Sequence, residues 1–238
     1  MGTISTNTSI YLSQSAQTQL KTLMSANEVN LNRLNTKKNE NTSKNNTLNG
    51  LQSQIDTVQS DLANLAKTTD LTAQKTAIDK FTTDYNSLMT KLNALTGKGA
   101  TFSNVSEIRG VKGVLRTPFG DSSLYSDFQA AGLTTNASGL SANTASITTA
   151  LSSTQLSSLT DSFNSAVQKL EDATNRYETS LTSMSAKLDK DITREQKYVD
   201  TKNARTQANF LKMYQAMQEY TAAQNGTSGT SAILAGLG

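Results

Sequence analysis

Apolar residues recur along this chain at helical rather than strand spacing. Near the N-terminus Leu20, Leu23, Met24, Leu31 and Leu34 fall three, four and seven residues apart, and Asn27 is a polar interruption in the same register. Farther on, two seven-residue series interleave, Leu48, Ile55 and Leu62 in one and Leu51, Val58 and Leu65 in the other. A seven-residue apolar repeat keeps one stripe of a helix turned toward a partner helix, so this stretch predicts a coiled-coil seam. Lys37, Lys38, Asn41 and Asn45 lie between the two stretches and cannot make a dry seam. The first long helix is therefore expected to weaken or break between about 38 and 47, and Gly50 lowers its helix propensity further.

The segment Ala66–Thr76 is polar and reads as a connection, after which Ile78, Phe81, Tyr85, Leu88, Leu92 and Leu95 form the apolar face of a helix over about 75–96. Gly97 and Gly99 mark its stop. From 97 to 153 the pattern changes to closely spaced glycines, a proline at Pro118 and short apolar groups. Turns with a hairpin are expected first, then a short helix near Ser122–Ala131, capped by Asp121 or Ser122, with Leu124, Tyr125 and Phe128 facing the body. A last helix is predicted over roughly 154–223. Leu156, Leu159, Phe163, Val167, Leu170, Tyr177, Leu181, Met184, Leu188 and Ile192 form its stronger face, continued by Val199, Thr206, Phe210, Met213, Met217 and Tyr220. At 1.5 Å per residue such a helix is roughly 105 Å long if straight, and it needs an antiparallel partner in this chain or another.

These elements predict a mainly α fold, an elongated antiparallel helical bundle or coiled coil with a small irregular or hairpin segment. Three regions follow: 1–40 as an N-terminal leg, 41–194 as a helical body that includes the compact turn-rich 97–153, and 195–238 as a C-terminal leg with a flexible tail. Polar interruptions before about 40 and after about 200 predict terminal helices that open more easily than the body.

Composition agrees with narrow seams. Thr, Ser and Asn make up 84 of 238 residues while 35% are hydrophobic, too few apolar side chains for a thick globular core. Paired helices need only a stripe each. The net charge of +3 is small and interspersed, which argues against a nucleic-acid partner. With no Cys, disulfides and thiol nucleophiles are excluded, and with no His the chain lacks the usual base near neutral pH. The opening MGTISTNTSIYLSQSAQTQL lacks a basic leader and an apolar run, so neither a conventional signal peptide nor a transmembrane segment is expected.

Candidate chemistry is sparse. Asp189, Asp191, Glu195 and Asp200 alternate with Lys187, Lys190, Arg194, Lys197 and Lys202, the pattern of a solvated, salt-laced helix face rather than of paired acid and base. The glycines of GKG at 97–99 and GVKGVL at 110–115 lack phosphate-loop or dinucleotide spacing and read as turn or packing glycines. No catalytic or metal residue and no cofactor is assigned, and no enzyme activity is expected. The line Phe210, Met213, Tyr214, Met217 and Tyr220 is either a seam of the helix pair or a partner-binding surface.

Several segments, in order, resemble one family. LMSANEVNLNRLNTKK (Leu23–Lys38) and LQSQIDTVQSDLANLA resemble the first coiled-coil helix of the bacterial flagellar filament cap proteins, also called hook-associated protein 2. AIDKFTTDYNSLMTKLNALT (Ala77–Thr96) resembles the helix after that family's head, and FGDSSLYSDFQ a short Gly-Asp segment of its body. YETSLTSMSAKLDKDITREQKYVDTKNARTQANFLKMYQAMQEYTAAQ resembles its long returning helix. The large head that the family commonly inserts is reduced here to about Ala66–Thr76, so this looks like a minimal form, and adhesion is discounted.

The resemblance implies a secreted homo-oligomer of about four to six chains at the distal tip of the flagellum, exported without a conventional signal peptide. It would retain exported flagellin, promote its polymerisation, and meet flagellin and hook–filament junction proteins. Another axial flagellar protein, of junction or flagellin-like type, or a helical export chaperone or binding module, is the alternative. The expected body contacts are Leu48, Leu51, Ile55, Val58, Leu62, Leu65, Ile78, Phe81, Tyr85 and Leu88. The expected terminal assembly contacts are Leu20, Leu23, Met24, Leu31, Leu34, Phe210, Met213, Met217 and Tyr220.

Overall fold

The computed structural model describes residues 12–116, 118, 124–136 and 139–235, and of Tyr125, Asn136 and residues 225–235 the backbone alone. It is a mainly α, multi-helix bundle with a small antiparallel hairpin. The elements are α1 (Gln14–Asn27), α2 (Val29–Leu65), α3 (Leu71–Thr96), α4 (Ser106–Val114), α5 (Tyr125–Ala130), β1 (Leu133–Asn136), β2 (Gly139–Ala142), a 3₁₀ turn (Thr144–Ser146) and α6 (Ser153–Ala235). They fall into two compact units, residues 40–185 and residues 1–39 with 186–238.

Within 40–185 the heptad residues of α2 do what their spacing implies. Leu48, Leu51, Ile55, Val58, Leu62 and Leu65 are fully buried, as are Ile78, Phe81, Tyr85 and Leu88 on α3. The third wall is α6, through Leu156, Leu159, Phe163, Val167 and Leu170. The aromatic centre is shared among segments: Phe163 meets Phe81 at 4.9 Å between centroids, Tyr85 at 5.4 Å and Phe128 of α5 at 5.7 Å, all edge-on. Such tilted contacts set a positive ring edge against a negative ring face.

Four boundaries depart from the spacing argument. α2 runs unbroken through 38–47, where Lys38 and Asn41 find partners on α6 while Asn45 Oδ1 is buried with no hydrogen bond among the described residues. Asn41 Nδ2 donates to Leu181 O at 2.8 Å and to Ser185 Oγ at 2.5 Å, which replaces a dry contact with hydrogen bonds that set the register. The break falls instead at Glu28, whose N–H turns back to Ser25 O at 3.1 Å and closes α1. α3 begins at Leu71, ahead of about 75, because Asp70 Oδ1 accepts from Ala73 N–H at 2.9 Å and caps it. α6 continues in helical backbone to Ala235 rather than ending near 223.

The 97–153 segment holds the expected kinds of element in another order. Where a hairpin was expected there is α4, whose Ile108 and Val111, with Leu115 just beyond, form a buried face at helical spacing. Gly110 and Gly113 lie within this helix and make no turn, with open space where a Cβ would stand. α5 follows, with Leu124 and Phe128 buried as expected, while Asp121, Ser122 and the Tyr125 side chain lie outside the described residues. Only then comes the β1–β2 hairpin, paired from Leu133↔Ala142 to Asn136↔Gly139. Gly132 (φ 65°) precedes it, and a Cβ there would stand 2.5 Å from Asn143 O.

Two amide brackets on α3 fasten this segment down. Asn86 Oδ1 accepts from Leu140 N–H at 2.8 Å and Asn86 Nδ2 donates to Leu140 O at 2.7 Å. Gln74, fully buried, treats Leu151 the same way, at 2.7 Å and 3.0 Å. Each bracket satisfies a backbone donor and acceptor that lack a regular ladder partner on that side, which is what permits an irregular chain to lie against a helix.

Candidate functional site

The terminal helices form their own small assembly. In the unit built from 1–39 and 186–238, hydrogen bonds join Ser13 to Tyr214 and Asn27 to Asn203 and Thr206, and Lys38 pairs with Asp189. Partner numbers fall on α6 as they rise on α1 and α2, so the pairing is antiparallel. Leu12, Ala16, Leu20 and Met24, four residues apart, pack with Phe210 and Tyr214 of α6. Ser13 caps α1 by accepting from Ala16 N–H at 3.3 Å. Its own N–H donates to Tyr214 Oη at 3.3 Å, and that bond holds the Tyr214 phenol below its usual pKa. The Phe210 and Tyr214 rings stack at 6.4 Å.

The expected terminal contacts divide into two sets. Leu20, Leu31 and Phe210 are buried, and Met24 and Leu34 half-buried. Leu23, Met213, Met217 and Tyr220 are exposed, Met217 by 60% and Tyr220 by 66%. Turning through about 100° per residue, Met217 lies close to the angular position of Phe210, so the apolar line of α6 continues past its last covered residue. Leu12, Ala16 and Tyr214 take inward positions that the list of expected contacts lacks. The four-residue ladder from Leu12 to Met24 was the available signal, obscured by Ala16 being small.

Of the four carboxylates singled out on α6, two are in ion pairs among the described residues, and only one of those with an interleaved base. Asp189 pairs with Lys38, Asp191 with Arg194 at 2.8 Å, and Asp200 accepts from Gln196 at 2.8 Å. Among the described residues no three acidic side chains come together as a metal site.

A carboxylate group that sequence reasoning missed lies where α2 ends. Lys80 Nζ bridges Asp61 Oδ1 at 2.5 Å and Asp84 Oδ2 at 2.7 Å. Burial pushes the Asp61 carboxyl above its usual value against the pull of Lys80, whereas the Lys80 hydrogen bond holds Asp84 below its own. A cleft of about 460 Å³ opens beside it, with Asp70, Ala73 and Ala77 also in its lining. A second cleft, of about 490 Å³, lies between the loop after α3 and residues 176–180 of α6.

No helix among the described residues is long and apolar enough to cross a membrane. Comparison of the chain with known protein families, with curated proteins and with solved structures gives no match.

Proposed function

We propose that this chain is a structural, homo-oligomeric cap at the distal end of a bacterial flagellar filament, secreted without a conventional signal peptide, which retains exported flagellin and promotes its polymerisation. The proposal rests on the ordered resemblance of its two helical ends to the filament cap family. The observation that carries it is the apolar line of α6, covered at Phe210 and exposed at Met213, Met217 and Tyr220. An exposed apolar stripe on a paired terminal helix suits a surface buried when axial subunits assemble around it, because association then removes that area from water. The neighbouring Ser, Thr and charged groups stay hydrated at the rim. The partners in this reading are further copies of the chain, about four to six in a ring, together with flagellin and hook–filament junction proteins. No covalent chemistry is part of it.

Complementation of a strain lacking its own cap tests the reading. The Phe210→Asp/Met217→Asp double variant is expected outside the cell, with shorter filaments and more unpolymerised flagellin, while Lys212→Gln supports normal filaments. Normal filament growth by the double variant, with full occupancy of the tip, would overturn the proposal. So would a wild-type chain that stays monomeric at every concentration and forms no ring at filament tips.

A further inference from the structure

The cleft beside α4 is built from fixed parts. Phe102 is fully buried, its N–H donates to Leu95 O at 2.8 Å, and its ring meets Tyr177 edge-on at 5.6 Å. Arg109 Nη1 latches the same loop by donating to Ser103 O at 3.2 Å. Thr101 and Ser103 therefore line a preformed wall, opposite the Tyr177 segment of α6, around a volume of about 490 Å³. That is within the range of small-ligand sites.

The charges of the cleft are unbalanced. Lys44 of α2 and Arg176 of α6 both line it, and neither is in an ion pair among the described residues. Its single carboxylate is Glu107, exposed on the first turn of α4. The Glu107 carboxyl is held below its usual range by its own backbone N–H, by the Ser106 hydroxyl at 3.1 Å and by the Arg176 charge. A carboxyl at this edge is thus favoured in its ionised form. A carboxylate accepts hydrogen bonds only, and ammonium, guanidinium and hydroxyl groups are all donors.

We infer that this cleft binds a carboxylate carried on a short aliphatic stem, with Lys44 and Arg176 supplying the charge, Thr101 and Ser103 the hydroxyl donors, and the half-buried Tyr177 ring a surface for the stem. Glutamate side chains and free short dicarboxylic acids share this chemistry. The inference is independent of the cap reading.

Titration of the full chain with glutarate at constant ionic strength tests it, read on the amide ¹H–¹⁵N shifts of residues 101–107. The shifts are expected to saturate with a Kd on the order of millimolar. Lys44→Gln/Arg176→Gln should weaken binding about tenfold or more, and Arg176→Lys less, because a lysine keeps the charge without the planar fork. Glu107→Gln should tighten binding severalfold by removing the competing charge, an effect that a purely structural role would not produce. Absence of saturation would overturn the inference. Equal shifts with the uncharged glutaramide, or undiminished binding in a double variant that keeps its helical circular dichroism, would do the same. Sedimentation then separates the sources. If a second copy supplies the carboxylate, glutarate and the double substitution both weaken self-association; if a free acid does, self-association ignores both.

Discussion

Helices α2 and α6 contribute to both units, yet the two units bury different kinds of surface. In 40–185, α3 and the 97–153 segment cover the sides that a pair of helices leaves open, and Leu48, Ile55, Phe81 and Phe163 have no exposed surface. In the unit of the chain ends the described helices meet without such a layer. Its buried cluster is Ala16, Leu20 and Phe210, ringed by Leu12, Met24 and Tyr214. Two helices cover one stripe each, so apolar residues beyond the stripe remain in water. The contrast teaches that two helices alone bury one narrow stripe, and that a third neighbour widens the stripe into a core.

Substitutions at the aromatic centre should have the largest effect. Phe163→Ala removes a ring that touches Phe81, Tyr85 and Phe128, and is expected to cost about 3–5 kcal/mol in urea unfolding. A loss below about 1 kcal/mol would mean that the 40–185 core is not the source of stability. Next comes the Asn86 bracket. Asn86→Ala strands the Leu140 N–H and carbonyl together, at about 2 kcal/mol, and should speed amide exchange across β1 and β2 before it affects α2.

The same core predicts an alkaline limit. Burial raises the Tyr85 phenol above its ordinary 10.0, and its hydroxyl donates to Leu115 O. The native state therefore keeps a proton that the unfolded chain loses, so the contribution is complete below about pH 10 and is lost as pH rises beyond it. Between pH 9.5 and 11 the wild type should lose about 1 kcal/mol more stability than Tyr85→Phe. Lys80, also raised, by its hydrogen bonds to Asp61 and Asp84, has the same sign, but it is present in both proteins and cancels in the comparison.

The smallest effect sharpens the contrast most. Met217→Asp, on the exposed stripe, should change the unfolding free energy of the isolated chain by less than about 0.5 kcal/mol. If it destabilised the isolated chain as a core substitution does, the stripe would already be covered in the monomer, and the comparison between the two units would fail.

Much of the fold was legible because a helix places residues three, four and seven apart on one side whatever lies opposite. The interleaved series from Leu48 to Leu65 and the face from Ile78 to Leu92 could be read in that way. In the 97–153 segment the short helix around Leu124 and Phe128 could be read as well, but not the rest. Its α4 has few apolar residues and two glycines, so local propensity spoke for turns, and burial of Ile108, Val111 and Leu115 against the rest of the unit decided for helix. The interruption expected at 38–47 failed for a related reason. Asn41 is unfavourable on a dry seam and acceptable once Leu181 and Ser185 offer it partners.

What the amino-acid sequence determined by itself was which residues share a stripe, and that no thiol and no imidazole is at hand for chemistry. Both follow from helical geometry and residue identity, which need no distant neighbour. What only the tertiary structure decided was which stripes are covered. Phe210 is buried and Met217 exposed on one line of one helix, because Leu20 and Ala16 pack with the first and the second lies outside that cluster. Tertiary structure also set Asn86 opposite Leu140, Gln74 opposite Leu151, and Lys44 beside Arg176 in one cleft. Those meetings join residues 54, 77 and more than 100 positions apart, and no local propensity carries the free energy that selects them.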